Sequence, residues 1–275
     1  MAYPPGHYYS PLVGPADLRN AVTHSPSSGP ASTIDLGAQR QLDLVVRLSE
    51  HYADQPFTAG RSAGNRYYFE NAFFSYGDAL MLHCMLRELR PQRVIEVGSG
   101  FSSAVILDTD ERFLGRRTSI TMIEPFPDRL RQVVGDVEAI GARVLVSRVQ
   151  DVDPGVFDAL GSGDVLFIDS SHVVKLGSDV QLLLLHILPR LRPGVVVHVH
   201  DVFHPFGYPK DWDERGLSWN EAYVLQALLT GNPYFEILLY NSYLACEHRQ
   251  AVASAMPLWA RDPGSSIWLR RREGD

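Results

Sequence analysis

The stretch Val94-Ile95-Glu96-Val97-Gly98-Ser99-Gly100-Phe101-Ser102-Ser103 passes from a β-branched apolar run, through a glycine turn, into the first residues of a helical pattern. Glycines at 98 and 100 let the backbone come close to a ligand where a Cβ would collide. Outward from it the same alternation repeats. Short apolar runs lie at 94–97, 119–124, 143–147, 164–169 and 194–200, separated by segments long enough for helices. Such strands, apolar on both faces and joined by crossover helices, predict a parallel sheet covered on both sides. The expected helices run over Ser102–Leu114, Pro127–Ile140 and Ser178–Leu191, with a weaker one near Val156 and another over Asn220–Leu229. Two late runs, 234–240 and 266–271, bring the expected strands to seven.

Ahead of the sheet, Leu42, Leu44, Val45 and Leu48 have the spacing of an amphipathic helix over Leu36–His51, and Asp78–Leu89 carries a second. Residues 1–34, rich in Pro, Gly, Ser and Tyr, read as an irregular arm. The chain thus divides into an arm at 1–34, N-terminal helices at 35–90 covering the site, and a ligand-binding domain at 91–275. A formal charge of -7 speaks against a protein that neutralises a phosphate backbone, so nucleic acid is not the expected partner. Two cysteines, Cys84 and Cys246, make no disulfide framework, and neither a signal-peptide pattern nor a long unbroken apolar run is present. These features predict a cytoplasmic protein with no membrane partner; self-association into a homo-oligomer is left open.

In open α/β sheets ligands sit beyond the carboxyl ends of the strands, near the point where strand order reverses. There the glycine turn meets Glu124, an acid at the end of the next strand that can accept hydrogen bonds from both hydroxyls of a ribose. Two details separate the candidate cofactors. Ser103 stands where a dinucleotide fingerprint has its third small residue. Glu96, two residues before the first glycine, suits a cationic ligand better than a pyrophosphate.

EVGSGFSS followed by IEPFP resembles the first motif and the acidic motif of class I S-adenosylmethionine-dependent methyltransferases. The resemblance implies a Rossmann-like α/β fold with a mostly parallel seven-stranded sheet. By position it assigns Glu96, Gly98, Ser99, Gly100 and Ser102 to the methionine part of S-adenosyl-L-methionine, Glu124 to its ribose, and Gln150 and Asp151 to its adenine. Asn71 and Asp78, in NRYYFENAFFSYGD at 65–78, fall in a segment that covers the cofactor in related enzymes. Two rival chemistries share these features: transfer or cyclisation of the cofactor's aminocarboxypropyl group, and a nicotinamide-dependent oxidoreductase, disfavoured by Glu96 and Ser103.

A second group of residues ends the next two strands: Asp169 and His172 after one, His198, His200, Asp201 and His204 at the other. The pattern resembles catechol- and macrocin-type O-methyltransferases, which hold a divalent metal with acids at these strand ends. By position Asp169, His200 and Asp201 become metal ligands, and the histidine moves the expected ion from magnesium toward manganese or iron. Asp169 doubles as a cofactor contact. His172 takes the place of a lysine base, as neutral imidazole, with Lys175 one turn on as an alternative base. His198 reads as a core histidine.

After Asp201 comes VFHPFGYPKDWDERGLSWNEAYVL, a loop rich in Pro and aromatic residues, placed where an acceptor pocket belongs. Its His204, Tyr208, Trp212 and Trp219 are the expected substrate residues. The sequence therefore predicts methyl transfer to a hydroxyl or amine of a small molecule, in small-molecule biosynthesis by analogy with those relatives.

Overall fold

The computed structural model describes residues 3–24 and 33–274. Seven strands form one sheet: β1 (Arg93–Val97), β2 (Ser119–Ile123), β3 (Arg143–Leu145), β4 (Val165–Ile168), β5 (Val196–Val199), β6 (Phe235–Tyr240) and β7 (Ile267–Arg271). Their order is β3-β2-β1-β4-β5-β7-β6. The first five are parallel, and β7 runs antiparallel to both neighbours. Order reverses between β1 and β4, so the crevice for a ligand opens beyond Val97 and Ile168. β4 and β5 are buried along their whole length, as their apolar runs require.

The helices are α1 (Pro15–His24), α2 (Ala38–Tyr52), α3 (Tyr76–Leu89), α4 (Phe101–Thr109), α5 (Asp128–Val134), α6 (Gly155–Asp158), α7 (Asp179–Leu182), α8 (Lys210–Glu214), α9 (Glu221–Leu229), α10 (Asn241–Glu247) and α11 (Arg249–Ala255). The arm expected to be irregular holds α1. Pro15 suits a first helical position, and the Gly14 amide donates to the Asp17 carboxylate at 2.8 Å. The rest of that expectation, at residues 1–2 and 25–32, lies outside the described residues. Three helices expected as single units are segmented. α4 widens into a π turn over Asp110–Leu114, α5 stops at Gly135 before a short 3-10 turn, and α7 passes through π and 3-10 turns to Pro189. Between β6 and β7, α10 and α11 are too short to show a readable period. α11 and the turn that follows it are held by Val252, Met256 and Trp259, buried beside α2 and α3.

β2, β3, β4 and β5 each end one or two residues before their predicted limits, and this places the site. Glu124, Asp169 and His200 all lie one residue past the last residue of their strands, where side chains are free of the sheet's alternation. At the centre, Gly98 has φ +81°, and a Cβ built on it would lie 1.7 Å from the carbonyl oxygen of Asp169. The Asp169 amide donates to Val97 at 2.9 Å and the Gly98 amide to Ile123 at 3.0 Å, so neither residue can retreat. Gly98→Ala is therefore expected to destabilise the fold by about 3 kcal/mol, the sum of a left-handed penalty and an overpacked contact. Chemical denaturation checks this, and a change below about 1 kcal/mol would contradict it.

Candidate active site

The glycine turn is built from beneath. Glu96 is fully buried, and its two carboxylate oxygens accept from Ser102 Oγ at 2.7 Å and Ser103 Oγ at 2.5 Å. Ser103 Oγ in turn accepts from the Gly100 amide at 2.9 Å. The acid at the end of β1 thus holds the first turn of α4 against the strand. Glu96 and Ser102 were expected to touch the cofactor; in the structure they are each other's hydrogen-bond partners and both are buried beneath the turn. Ser103, unfit for a dinucleotide fingerprint, is this joint's second hydroxyl.

Above the turn, Glu124 accepts from the Ser99 amide at 3.0 Å and the Phe126 amide at 2.7 Å. Backbone donors on both oxygens fix the carboxylate's orientation, and its spare lone pairs remain for a ribose. A cavity of about 580 Å³ opens here, lined by Gly98, Glu124, Gln150, Asp169 and Lys175 among others. That volume lies within the range of small-molecule and cofactor sites. The Gln150 amide donates to the Gly177 carbonyl at 3.1 Å and closes the far end. Asp151 is paired instead with Arg148, at 2.8 and 3.0 Å, and is not among the cavity-lining residues.

Asn71 and Asp78 serve the fold rather than the cavity. Asn71 donates to the carbonyls of Tyr68 and Phe74 and accepts from the amides of Phe73 and Phe74, which ties its own loop. Buried Asp78 accepts from the amides of Ser265 and Ser266 and from Asn241 Nδ2, joining α3 to the start of β7 and to α10. Both positions were expected to meet the cofactor. Short-range bonds to orphan amides claim them first.

At the ends of β4 and β5 lies a buried group of imidazoles and carboxylates. His172 Nδ1 donates to Glu221 Oε2 at 2.8 Å, and its Nε2 faces Asp169 Oδ1 at 3.4 Å and Asp201 Oδ2 at 3.7 Å. His172 and Asp201 both adopt left-handed backbone conformations, φ 58° and 54°, which cost of order 1–3 kcal/mol each and persist only where surroundings enforce them. Here the His172 carbonyl accepts from the amides of Asn220 and Glu221, and Asn220 Oδ1 accepts from the Val174 amide at 2.6 Å. Ser265 Oγ donates to Asp201 Oδ1 at 2.8 Å. Trp219 lies over the His172 ring, centroids 4.3 Å apart.

Burial alone would depress the imidazole's pKa, but hydrogen bonds to Asp169 and Glu221 push His172 up to about 10. These bonds favour the protonated ring, where the sequence suggests a neutral base. Burial would raise Asp169, yet the charges of His200, His172 and Arg129 hold its carboxyl below the usual range. Asp169 is thus an ionised acid that lines the cavity, with an imidazolium at its back.

The expected metal trio is not gathered. Asp169 pairs with His172 rather than His200, and His200 turns Nε2 toward Asp201 at 3.6 Å and Nδ1 toward Asp78 at 3.9 Å. Among the described residues no three His, Cys, Asp or Glu side chains come together as a metal requires. The donors do not fit the ion because the His172 ring, aimed by Glu221, stands between the two strand-end carboxylates. His198 is a core histidine as expected, fully buried and stacked on Phe167 at 4.0 Å.

The loop after β5 contributes in part. Trp219 reaches His172, with Trp212 and Tyr208 packed around it at 5.0 and 6.0 Å. The Tyr208 hydroxyl accepts from the Ala222 amide at 2.9 Å, so it braces α9. His204 is turned away, its ring between Tyr240 and Tyr243. Lys175 lines the cavity but does not enter the imidazole group. The residue that sequence reasoning missed is Glu221. Its one signal was an acid opening an otherwise apolar helix, EAYVLQALL, which also describes an ordinary helix N-terminus.

The reversed strand order, the antiparallel β7 and the glycine–acid pair beyond β1 and β2 define a class I methyltransferase fold. Residues 95–202 match the methyltransferase-domain family. The chain is also 32% identical over 164 residues to an uncharacterised protein of Archaeoglobus fulgidus, covering 58% of this chain and 73% of that one. Among solved structures, S-adenosylhomocysteine-bound methyltransferase PaMTH1 of Podospora anserina matches at TM-score 0.46 and 14% identity, over 94% of this chain and 95% of that one. The O-methyltransferase TomG of Streptomyces achromogenes, involved in tomaymycin synthesis and solved with S-adenosylmethionine, matches at TM-score 0.46 and 15% identity, over 94% and 96%. The methyltransferase-domain match does not favour the aminocarboxypropyl or nicotinamide chemistries. Among the described residues no helix is long and apolar enough to cross a membrane.

Burial pushes the Glu96 carboxyl from 4.5 up to about 7 against the opposing bonds from Ser103 and Ser102. The folded state then keeps a proton that the unfolded chain has released, so stability falls as pH rises from about 4.5 through 7. Glu96→Gln is expected to remove about 3 kcal/mol of that pH dependence. Calorimetric melting of both proteins from pH 5 to 8 checks it; parallel curves would refute the buried-acid assignment.

Proposed function

We propose that the enzyme methylates a hydroxyl group of a small molecule, docked over Asp169 and His172 beneath the Trp219 loop. One observation carries this reading: Asp169 belongs to both halves of the site. Its backbone carbonyl presses on Gly98 in the glycine turn, and its side chain faces His172. A cofactor whose ribose rests on Glu124 and whose arm crosses Gly98 would bring its sulfonium methyl to this acid.

In this proposal Asp169 accepts the hydroxyl proton as the acceptor oxygen attacks the methyl in line and the sulfonium becomes a neutral thioether. The His172 imidazolium stabilises negative charge developing on that oxygen. Glu221 holds the ring in place from behind, as a positioning residue. The cofactor seat comprises Gly98, Ser99, Glu124 and Gln150, and the aromatic wall of Trp219, Trp212 and Tyr208 favours a planar or ring-shaped acceptor.

Asp169→Asn is expected to lower turnover at least a hundredfold, the ordinary scale of a lost proton acceptor, with S-adenosylhomocysteine affinity nearly unchanged. Equal losses of turnover and of cofactor binding in calorimetry would sink the assignment. Turnover should decline as pH approaches about 10 and the His172 imidazolium loses its proton. A neutral His172 base would give the opposite, a rate that climbs through that range.

The placement of the His172 ring between the acids also has a consequence for metals. Activity is expected to persist in excess chelator. Loss of activity that manganese or magnesium restores would show that Asp169, His200 and Asp201 regroup around a cation.

A further inference from the structure

Arg129, the second residue of α5, stands beside the glycine turn without a hydrogen-bond or ion-pair partner among the described residues. Its guanidinium lies 3.9 Å from the ring centroid of Phe73. Phe73 is 56% exposed, unusual for so large an apolar side chain, and it stacks on Phe101 in the first turn of α4. The Arg129 stem passes 3.4 Å from where a Cβ on Gly100 would be, so the absence of a side chain at 100 makes room for it. A cation is thus seated on an aromatic platform directly over the turn, close enough for its charge to reach Asp169.

The cofactor brings a carboxylate to this place. With ribose on Glu124 and adenine toward Gln150, the aminocarboxypropyl arm has to run across Gly98 to Gly100. The cations that line the cavity are badly placed for it. Arg148 is bound by Asp151 at 2.8 and 3.0 Å, and Lys175 sits on the loop that Gln150 grips through Gly177 at the opposite end. We propose that Arg129 is the binding residue for the carboxylate of the cofactor's aminocarboxypropyl arm, with Phe73 as the platform that holds its guanidinium in place. The inference rests on the cofactor seat described above and adds a recognition contact that neither sequence motif contains. A planar guanidinium can engage a carboxylate through two parallel hydrogen bonds, which a lysine cannot reproduce.

The test is calorimetric titration of the full chain with S-adenosylhomocysteine, which has the arm, and with 5′-methylthioadenosine, which lacks it. Arg129→Gln is expected to weaken S-adenosylhomocysteine about tenfold or more, the scale of a charge-assisted hydrogen bond, and to leave 5′-methylthioadenosine unchanged. Arg129→Lys should fall between wild type and Arg129→Gln. Unchanged S-adenosylhomocysteine affinity in Arg129→Gln, or an equal loss for both ligands, would overturn the proposal. Glu124→Gln reports separately on the seat, since it should weaken both ligands alike. If it weakens neither, the seat itself is wrong, whatever Arg129 does.

Discussion

The rest of the site depends on the contact between Gly98 and Asp169. A carbonyl oxygen occupies the space where the side chain of residue 98 would begin, and the backbone bonds on either side leave no slack. This contact welds the ends of β1 and β4 at the point where strand order reverses. The crevice beyond β1 and β4 and the backbone of Asp169 are therefore set by one piece of geometry. A change on one side is transmitted to the other without any moving part.

Around that weld, buried acids do different work according to what donates to them. Glu96 takes hydroxyls from α4 and holds the turn from below. Asp78 takes amides from the start of β7, and Ser265 extends the same chain of bonds to Asp201. Glu221 takes the His172 ring. Each is a carboxyl group removed from water, which is tolerable only because donors meet it. Only Asp169 is left facing the cavity with imidazoles behind it, and this asymmetry is what singles it out as the proposed proton acceptor.

Much of the fold could be read from residues in order. The β-branched runs located all seven strands, because strands buried on both faces leave a continuous apolar signal. Breaks in the helices were less legible. A π turn after Thr109, or a stop at Gly135, costs little in local pattern and is decided by caps and packing. The helices between β6 and β7 were invisible for a related reason: seven residues are too few to display a period, and their stability comes from burial beside α2 and α3.

For the site, sequence alone located the glycine–acid pair and the residues at the strand ends, Gly98, Glu124, Asp169, His172, His200 and Asp201. Spacing along a strand–turn–helix unit is local, and the chemistry of a nucleoside restricts which residues can stand there. Only the tertiary structure decided how those residues pair. It buried Glu96 under its serines, gave Asn71 and Asp78 to the backbone, aimed His172 between Asp169 and Asp201 through Glu221, and set Arg129 on Phe73. Those outcomes depend on which donor from a distant segment arrives at each carboxylate, and separation along the chain carries no record of that.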